Sequence, residues 1–134
     1  MAISTTAFAT QLLAFIGAEA GITSKVVDRY YKGRIRQDET FPAMMFTIRQ
    51  IDPTVVKGGV STYDKVTVRM NAYALLANEC EDLHDSIRTS FDRFSDLTNA
   101  VIFHETFFIR RLEMVQDFKT KIYWIASDYE FHIK

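Results

Sequence analysis

The sequence is poor in the features that most often reveal a chemistry. One cysteine, Cys80, in 134 residues excludes an intramolecular disulfide. The fold must then rest on its core, which suits a reducing compartment and predicts synthesis in the cytoplasm. Charge of one sign is missing too: 16 Lys and Arg against 17 Asp and Glu leave a net charge of -1 and a pI near 6.3. Such a chain has no general attraction for phosphate backbones, whereas a nucleic-acid binder usually carries a basic stripe. No apolar run approaches the ~20 residues of a membrane-spanning helix. Residues Met1 to Ile22 lack a basic leading region and space their apolar residues at helical period, so neither a signal peptide nor a membrane contact is expected. Internal repeats and low-complexity tracts are absent as well.

Reactive constellations are equally scarce. Cys80 and His84 stand four residues apart and could share a helix face, but zinc takes roughly four ligands, or three with an open position, and no further Cys or His follows at ligand spacing. Cys80 is therefore expected in the core and His84 at a helix edge. His104 and His132 fall on strands without a neighbouring nucleophile and read as structural or surface residues. Glu79, Glu81, Asp82 and Asp85 would suit a hard cation, yet a position at a helix start explains them without one. Lys57-Gly58-Gly59 has the wrong order for a phosphate loop, in which glycine precedes lysine and a helix follows directly. The basic group Arg29, Lys32, Arg34 and Arg36 reads as a solvated edge in this near-neutral chain. No catalytic residue, metal or cofactor is predicted, and with no nucleophile, base and orienter in view the chain is not expected to be an enzyme.

What the chain does contain is apolar patterning: 48% of its residues are hydrophobic, enough for one domain spanning 1-134. Ser4, Thr5 or Thr6 can cap a first helix bearing Phe8, Leu12, Phe15 and Ile16, with Gly21 placed to end it. Residues Ile22 to Thr40 form a weaker pattern, read as a loop that can hold a short edge strand. Pro42 introduces a strand over Ala43 to Ile51. Pro53 to Thr62 is rich in Gly, Ser and Thr and predicts a long mobile hairpin loop outside the ladder.

The clearest signal follows. Val66, Val68, Met70, Ala72 and Ala74 alternate with polar residues as a half-buried strand, and then Leu76, Cys80, Leu83, Ile87 and Phe91 recur at helical steps. Asn78 and Glu81 resemble a capping box at that helix's start. Val101 to Glu113 is apolar on both parities and predicts a strand that is central or buried against a partner subunit. In the last strand Ile122, Trp124 and Ala126 share one parity and Tyr129, Phe131 and Ile133 the other, so a β-bulge near Ser127 and Asp128 is expected. The sum is an α+β fold: a mainly antiparallel sheet of about four strands with two principal helices on one face, in the order α-β-β-α-β-β. Aromatics such as Tyr30, Tyr31, Phe107, Tyr123 and Trp124 exceed what two helices cover, which predicts oligomerisation.

The strand entry Phe41-Pro42-Ala43-Met44-Met45-Phe46, the loop Pro53 to Thr62, the strand Val66 to Tyr73, the helix through Leu83, Ile87 and Phe91, and the closing Ile122-Tyr123-Trp124 to Phe131-His132-Ile133 segment together resemble the tail-terminator, or tail-completion, family of long-tailed bacteriophages. The resemblance covers nearly the whole chain and rests on element order and hydrophobic pattern. It implies a structural protein of the virion, at the junction of tail and neck, that closes as a ring, a hexamer, on the finished tail tube. Such a ring stops tube polymerisation and offers the surface to which the head attaches. The partners implied are further copies of the chain, the tail tube protein and the head connector or neck protein, with DNA passing through the lumen without sequence-specific binding. On this reading Lys57, Gly58, Gly59 and Val60 form an assembly loop, and Tyr30, Tyr31, Arg34 and Arg36 contribute to subunit contacts. Another neck component, such as a head-closure or connector protein, is the alternative within phage assembly. A ligand-binding α+β dimer is the alternative outside it.

Overall fold

The computed structural model describes residues 4–35, 39–55, 61–99 and 101–134. Three helices lie on one face of a six-stranded, mostly antiparallel sheet among the described residues, so the chain is α+β, with more elements than its pattern predicts. The first helix, α1 (Thr5–Ala18), starts where expected: the Ser4 hydroxyl accepts from the Ala7 N–H at 3.3 Å, and Phe8, Leu12 and Ile16 are buried. It does not run to Gly21. Glu19 leaves the helical region at φ -88, ψ 104, and α2 (Ala20–Val26) restarts with Gly21 inside it. Ile22 and Val26, four residues apart and fully buried, explain the restart: burying each contributes about 1.5–3 kcal/mol, against about 1 kcal/mol for a glycine within a helix.

The edge strand β1 (Tyr30–Lys32) runs parallel to β2 (Ala43–Val55), which pairs antiparallel with β3 (Ser61–Ala74). The ladder extends past the expected boundaries, to Pro53↔Asp64 and Val55↔Ser61, so the two ends of the expected Pro53 to Thr62 loop are strand. Because β1 covers only three residues of β2, the rest of β2 is an edge, and a register shift lies between Pro53 and Val55. Edges and bulges are where a sheet tolerates proline.

β3 buries Val66, Val68, Met70, Ala72 and Ala74, as its alternation requires, and α3 (Ala77–Phe91) buries Cys80, Leu83, Ile87 and Phe91 above them. Three details differ. Leu76 is the N-cap and 60% exposed, not part of the buried stripe; Asn78 lies inside the first turn and makes no cap; and His84 is buried at 2% exposure, not at a helix edge. The ladder of β3 holds until Ala74↔Tyr123, and the Cys80 N–H already donates to the Leu76 carbonyl at 3.0 Å. Two residues therefore separate strand from helix, which leaves Asn78 no room to act as a cap.

β4 (Phe103–Arg111) is an edge strand, not a central one: the order is β1-β2-β3-β6-β4, with β5 (Val115–Gln116) pairing the start of β6 (Tyr123–Ile133). Its two apolar parities come from register shifts at His104 and Ile109, which bring Phe103, Thr106 and Phe108 to one face, opposite Ile133, Phe131 and Tyr129. The expected bulge in β6 is absent. β6 pairs with β3 without a shift from Asp64↔Ile133 to Ala74↔Tyr123. Trp124, Ala126 and Asp128 consequently face away from the helices while Ser127 faces inward, where its hydroxyl donates to the Met70 carbonyl at 3.4 Å. A polar Ser-Asp pair is accommodated here by opposite faces, each with its own partners.

The core joins Phe8, Phe91, Phe103 and Phe131 beneath the helices, with the Phe8 and Phe103 rings stacked at 5.4 Å and Phe103 edge-on to Phe131 at 5.6 Å. No described helix is long and apolar enough to cross a membrane.

Candidate functional site

Of the residues singled out from the sequence, β1 places Tyr30 and Tyr31 at opposite sides of one sheet edge. Tyr30, opposite Met44, packs against the core beneath α1. A Cβ at Gly17 would lie 2.5 Å from the Tyr30 hydroxyl oxygen, so the ring packs directly on the glycine and a side chain there would displace the hydroxyl. Tyr31, opposite Met45, lies toward the uncovered face and its hydroxyl donates to the Glu39 carboxylate. Arg34 is exposed just beyond Gly33, which holds φ 90. The structure thus gathers Tyr31 and Arg34 at an accessible edge and draws Tyr30 partly inward. Arg36 and the loop Lys57, Gly58, Gly59 and Val60 lie outside the described residues.

The face opposite the helices is organised by charge pairs. Asp128 is 4% exposed at its side chain yet sits on this uncovered face, because two guanidinium groups close over it. Arg69 donates through Nε at 2.8 Å and through Nη2 at 3.2 Å, and Arg110 Nη1 stands 3.5 Å away. The paired geometry is the strong form of a charge-assisted bond, and it holds Arg69 further above its ordinary pKa. One register step along, Glu130 contacts His132 at 2.6 Å, and Phe107 meets the His132 ring edge-on at 5.3 Å.

At the end of this face where β2 begins and β3 ends, Phe41, Tyr73, Ile122 and Trp124, with Ile35 and Asp117, enclose an open recess of about 280 Å³. Burial raises the Tyr73 pKa there. The adjoining turn between β5 and β6 is tightly braced. Asp117 Oδ1 accepts from the Lys119 N–H at 2.8 Å and the Thr120 N–H at 3.3 Å, and the Asp117 carbonyl accepts from the Lys121 N–H at 2.8 Å. Phe118 rides on this turn at 89% exposure.

Nothing in these surfaces activates a nucleophile. The Cys80 thiol is buried, donates to the Ala72 carbonyl at 3.4 Å, and is pushed up to about 11 by burial, the reverse of what a reactive thiolate needs. Among the described residues no three His, Cys, Asp or Glu side chains gather as a metal site. The arrangement offers surfaces, apolar and charged, at the edges of a rigid sheet.

No protein-family model and no curated protein matches the sequence. A solved chain of the "Virion of native gene transfer agent (GTA) particle" does match the structure, with a TM-score of 0.72 over 90% of this chain and 89% of that one. The likeness shows the fold. At 9% identity it transfers no residue roles, and those must be argued from this chain's own surfaces.

The sequence pattern had passed over three of these surfaces. Phe118 was legible as an aromatic within a polar turn, between Asp117 and Lys119. The Phe41, Tyr73 and Trp124 recess needed the Tyr73↔Trp124 pairing, which the expected bulge in β6 obscured. The Arg69, Asp128 and Arg110 cluster joins residues from three strands, and no local spacing signals it.

Proposed function

We propose that the protein is a non-enzymatic structural component of a phage-like particle, and within it a tail terminator. The observation that carries this reading is the shared fold, at TM-score 0.72, with a chain from a gene transfer agent virion. The sequence resemblance to tail terminators supplies the finer role. In that role the chain closes as a ring, a hexamer, on a completed tail tube, stops its growth and presents the joining surface for the head. A heterologous contact that closes by rotation yields a ring, not a filament. Tyr31 and Arg34, on the β1 edge, together with Arg36, lie at the subunit contact, and Lys57, Gly58, Gly59 and Val60 contact the tube. Other copies of the chain, the tail tube protein and a neck protein are the partners.

Electron microscopy of the purified protein, alone and mixed with tail tubes, tests this. Rings that seat on tube ends and prevent further tube growth are expected. Monomers at all concentrations, with no ring on tubes, would overturn the proposal, and rings that bind portal complexes but ignore tubes would make the protein a different neck component.

A further inference from the structure

We propose that, in the ring, each copy grips the next by seating the Phe118 turn in the recess that α3 forms with Pro42 on its neighbour. The proposal rests on the ring reading above and names its contact.

The turn has the form of an anchor. Phe118 is 89% exposed and flanked by exposed Lys119 and Lys121, and the backbone bonds to Asp117 hold it in place before any partner arrives. A rigid aromatic with few rotatable bonds loses little freedom on burial, which is why such residues dominate interface energetics.

The receiving surface has the opposite charge. Pro42, Glu79, Asp82 and Lys25 line a recess of about 260 Å³, and Leu75 and Leu76, 53% and 60% exposed, stand where α3 begins. Steps of three and four residues carry Leu75 or Leu76, Glu79 and Asp82 along one side of the helix. The Lys25 ammonium donates to the Gly21 carbonyl at 3.4 Å within its own helix. Among the described residues Lys119, Lys121, Glu79 and Asp82 form no ion pair in their own chain. Docking therefore sets Phe118 against exposed leucines and Pro42 while two lysines meet two carboxylates.

The two patches lie on different faces of the sheet: the turn borders the recess of Tyr73 and Trp124 on the uncovered face through Asp117 and Thr120, whereas Lys25, Glu79 and Asp82 belong to the helices on the other. Pro42 leads into β2 and the turn leads into β6, with β3 between them in the sheet. Two interstrand spacings amount to about 10 Å, before the projection of the turn itself is counted. A knob and a recess at different places on one molecule make a head-to-tail contact, the kind that closes a ring.

Charge reversal tests the pairing. Lys119→Glu with Lys121→Glu makes the turn acidic, and Glu79→Lys with Asp82→Lys makes the recess basic. Each double variant then presents like charges to its own copies, and its self-association, followed by light scattering and electron microscopy, is expected to weaken on the order of a hundredfold. Mixed in equal amounts, the two variants present opposite charges to each other and should regain wild-type association in alternating rings. Phe118→Ser should weaken association and find no rescue in the mixture. Wild-type rings matched by equally good rings from both variants would overturn this contact while leaving the ring reading intact. So would variants that fail alone and still fail when mixed. Rings that persist but no longer join tubes would assign the turn to another protein of the particle. A wild-type chain that stays monomeric alone and on tubes would overturn both readings.

Discussion

His84 carries the sharpest consequence at the scale of a single residue. Its ring is 2% exposed, Nδ1 makes no hydrogen bond, and Phe108 lies 6.4 Å away between centroids. Burial lowers its pKa first; Arg111 and Arg88 push the same way, against Asp85 and Glu81. The folded state therefore holds a neutral imidazole where the unfolded chain takes up a proton at about 6.5. The unfolded state binds more protons below that value, so stability is complete above it and declines as pH falls from about 6.5 toward the lowered folded pKa. Urea midpoints for the wild type should drop between about pH 7.5 and pH 5.5, and His84→Leu should drop less over the same interval. Equal acid sensitivity in the variant would move the effect to the carboxylates. Asp128 shows the complementary solution for a buried charge, since Arg69 and Arg110 supply its partners from neighbouring strands.

Between elements, the joint from α2 to β1 is held in a costly conformation. Val27 ends α2 at φ 59, ψ -102, a region that a β-branched residue rarely adopts, and its side chain is 60% exposed. Strain of this kind costs about 1–3 kcal/mol, and little packing offsets it here. Val27→Gly is thus expected to raise stability by about 1 kcal/mol and the melting temperature by roughly 4 °C, read by calorimetry or circular dichroism. An unchanged or lower melting temperature would mean that Val27 contributes packing its exposure conceals. The same joint marks a limit of what the sequence discloses. The β3 to α3 unit was legible because its strand alternation and helical stripe each bury a full face, and the Ser4 cap was legible because it is local chemistry. The α2 restart was not, because it depends on the tertiary burial of Ile22 and Val26 past a glycine, and the edge position of β4 and the regular β6 were not, because they depend on pairing between distant strands and on shifts at His104 and Ile109 that invert parity without a glycine or proline to signal them. The surfaces followed the same rule: Tyr31 and Arg34 could be picked out locally, whereas the recess at Trp124 emerged only from the register.

For the molecule as a whole, the helices occupy one face of the sheet and leave the other face and both edges for contact, which suits the assembly role proposed above. The hairpin of β2 and β3 reaches beyond β1, so its far end contributes little to the shared core, and Ile51 there is 41% exposed. The residues that join its strands should then be separable from folding. Replacing Lys57-Gly58-Gly59-Val60 with Asn-Gly leaves a short connection of a kind hairpins accept. Because β3 keeps its full ladder with β6, the melting temperature should stay within roughly 3 °C of wild type, the span expected for a surface change under about 0.5 kcal/mol. Rings should still form if subunit contacts lie elsewhere, at the β1 edge or the Phe118 turn. Seating on tail tubes, counted by electron microscopy, should fall at least about tenfold if these residues contact the tube, since the loss of even 1.4 kcal/mol of contact has that effect. Normal seating by the shortened chain would remove the loop from tube recognition and leave the uncovered sheet face as the surface to be mutated next.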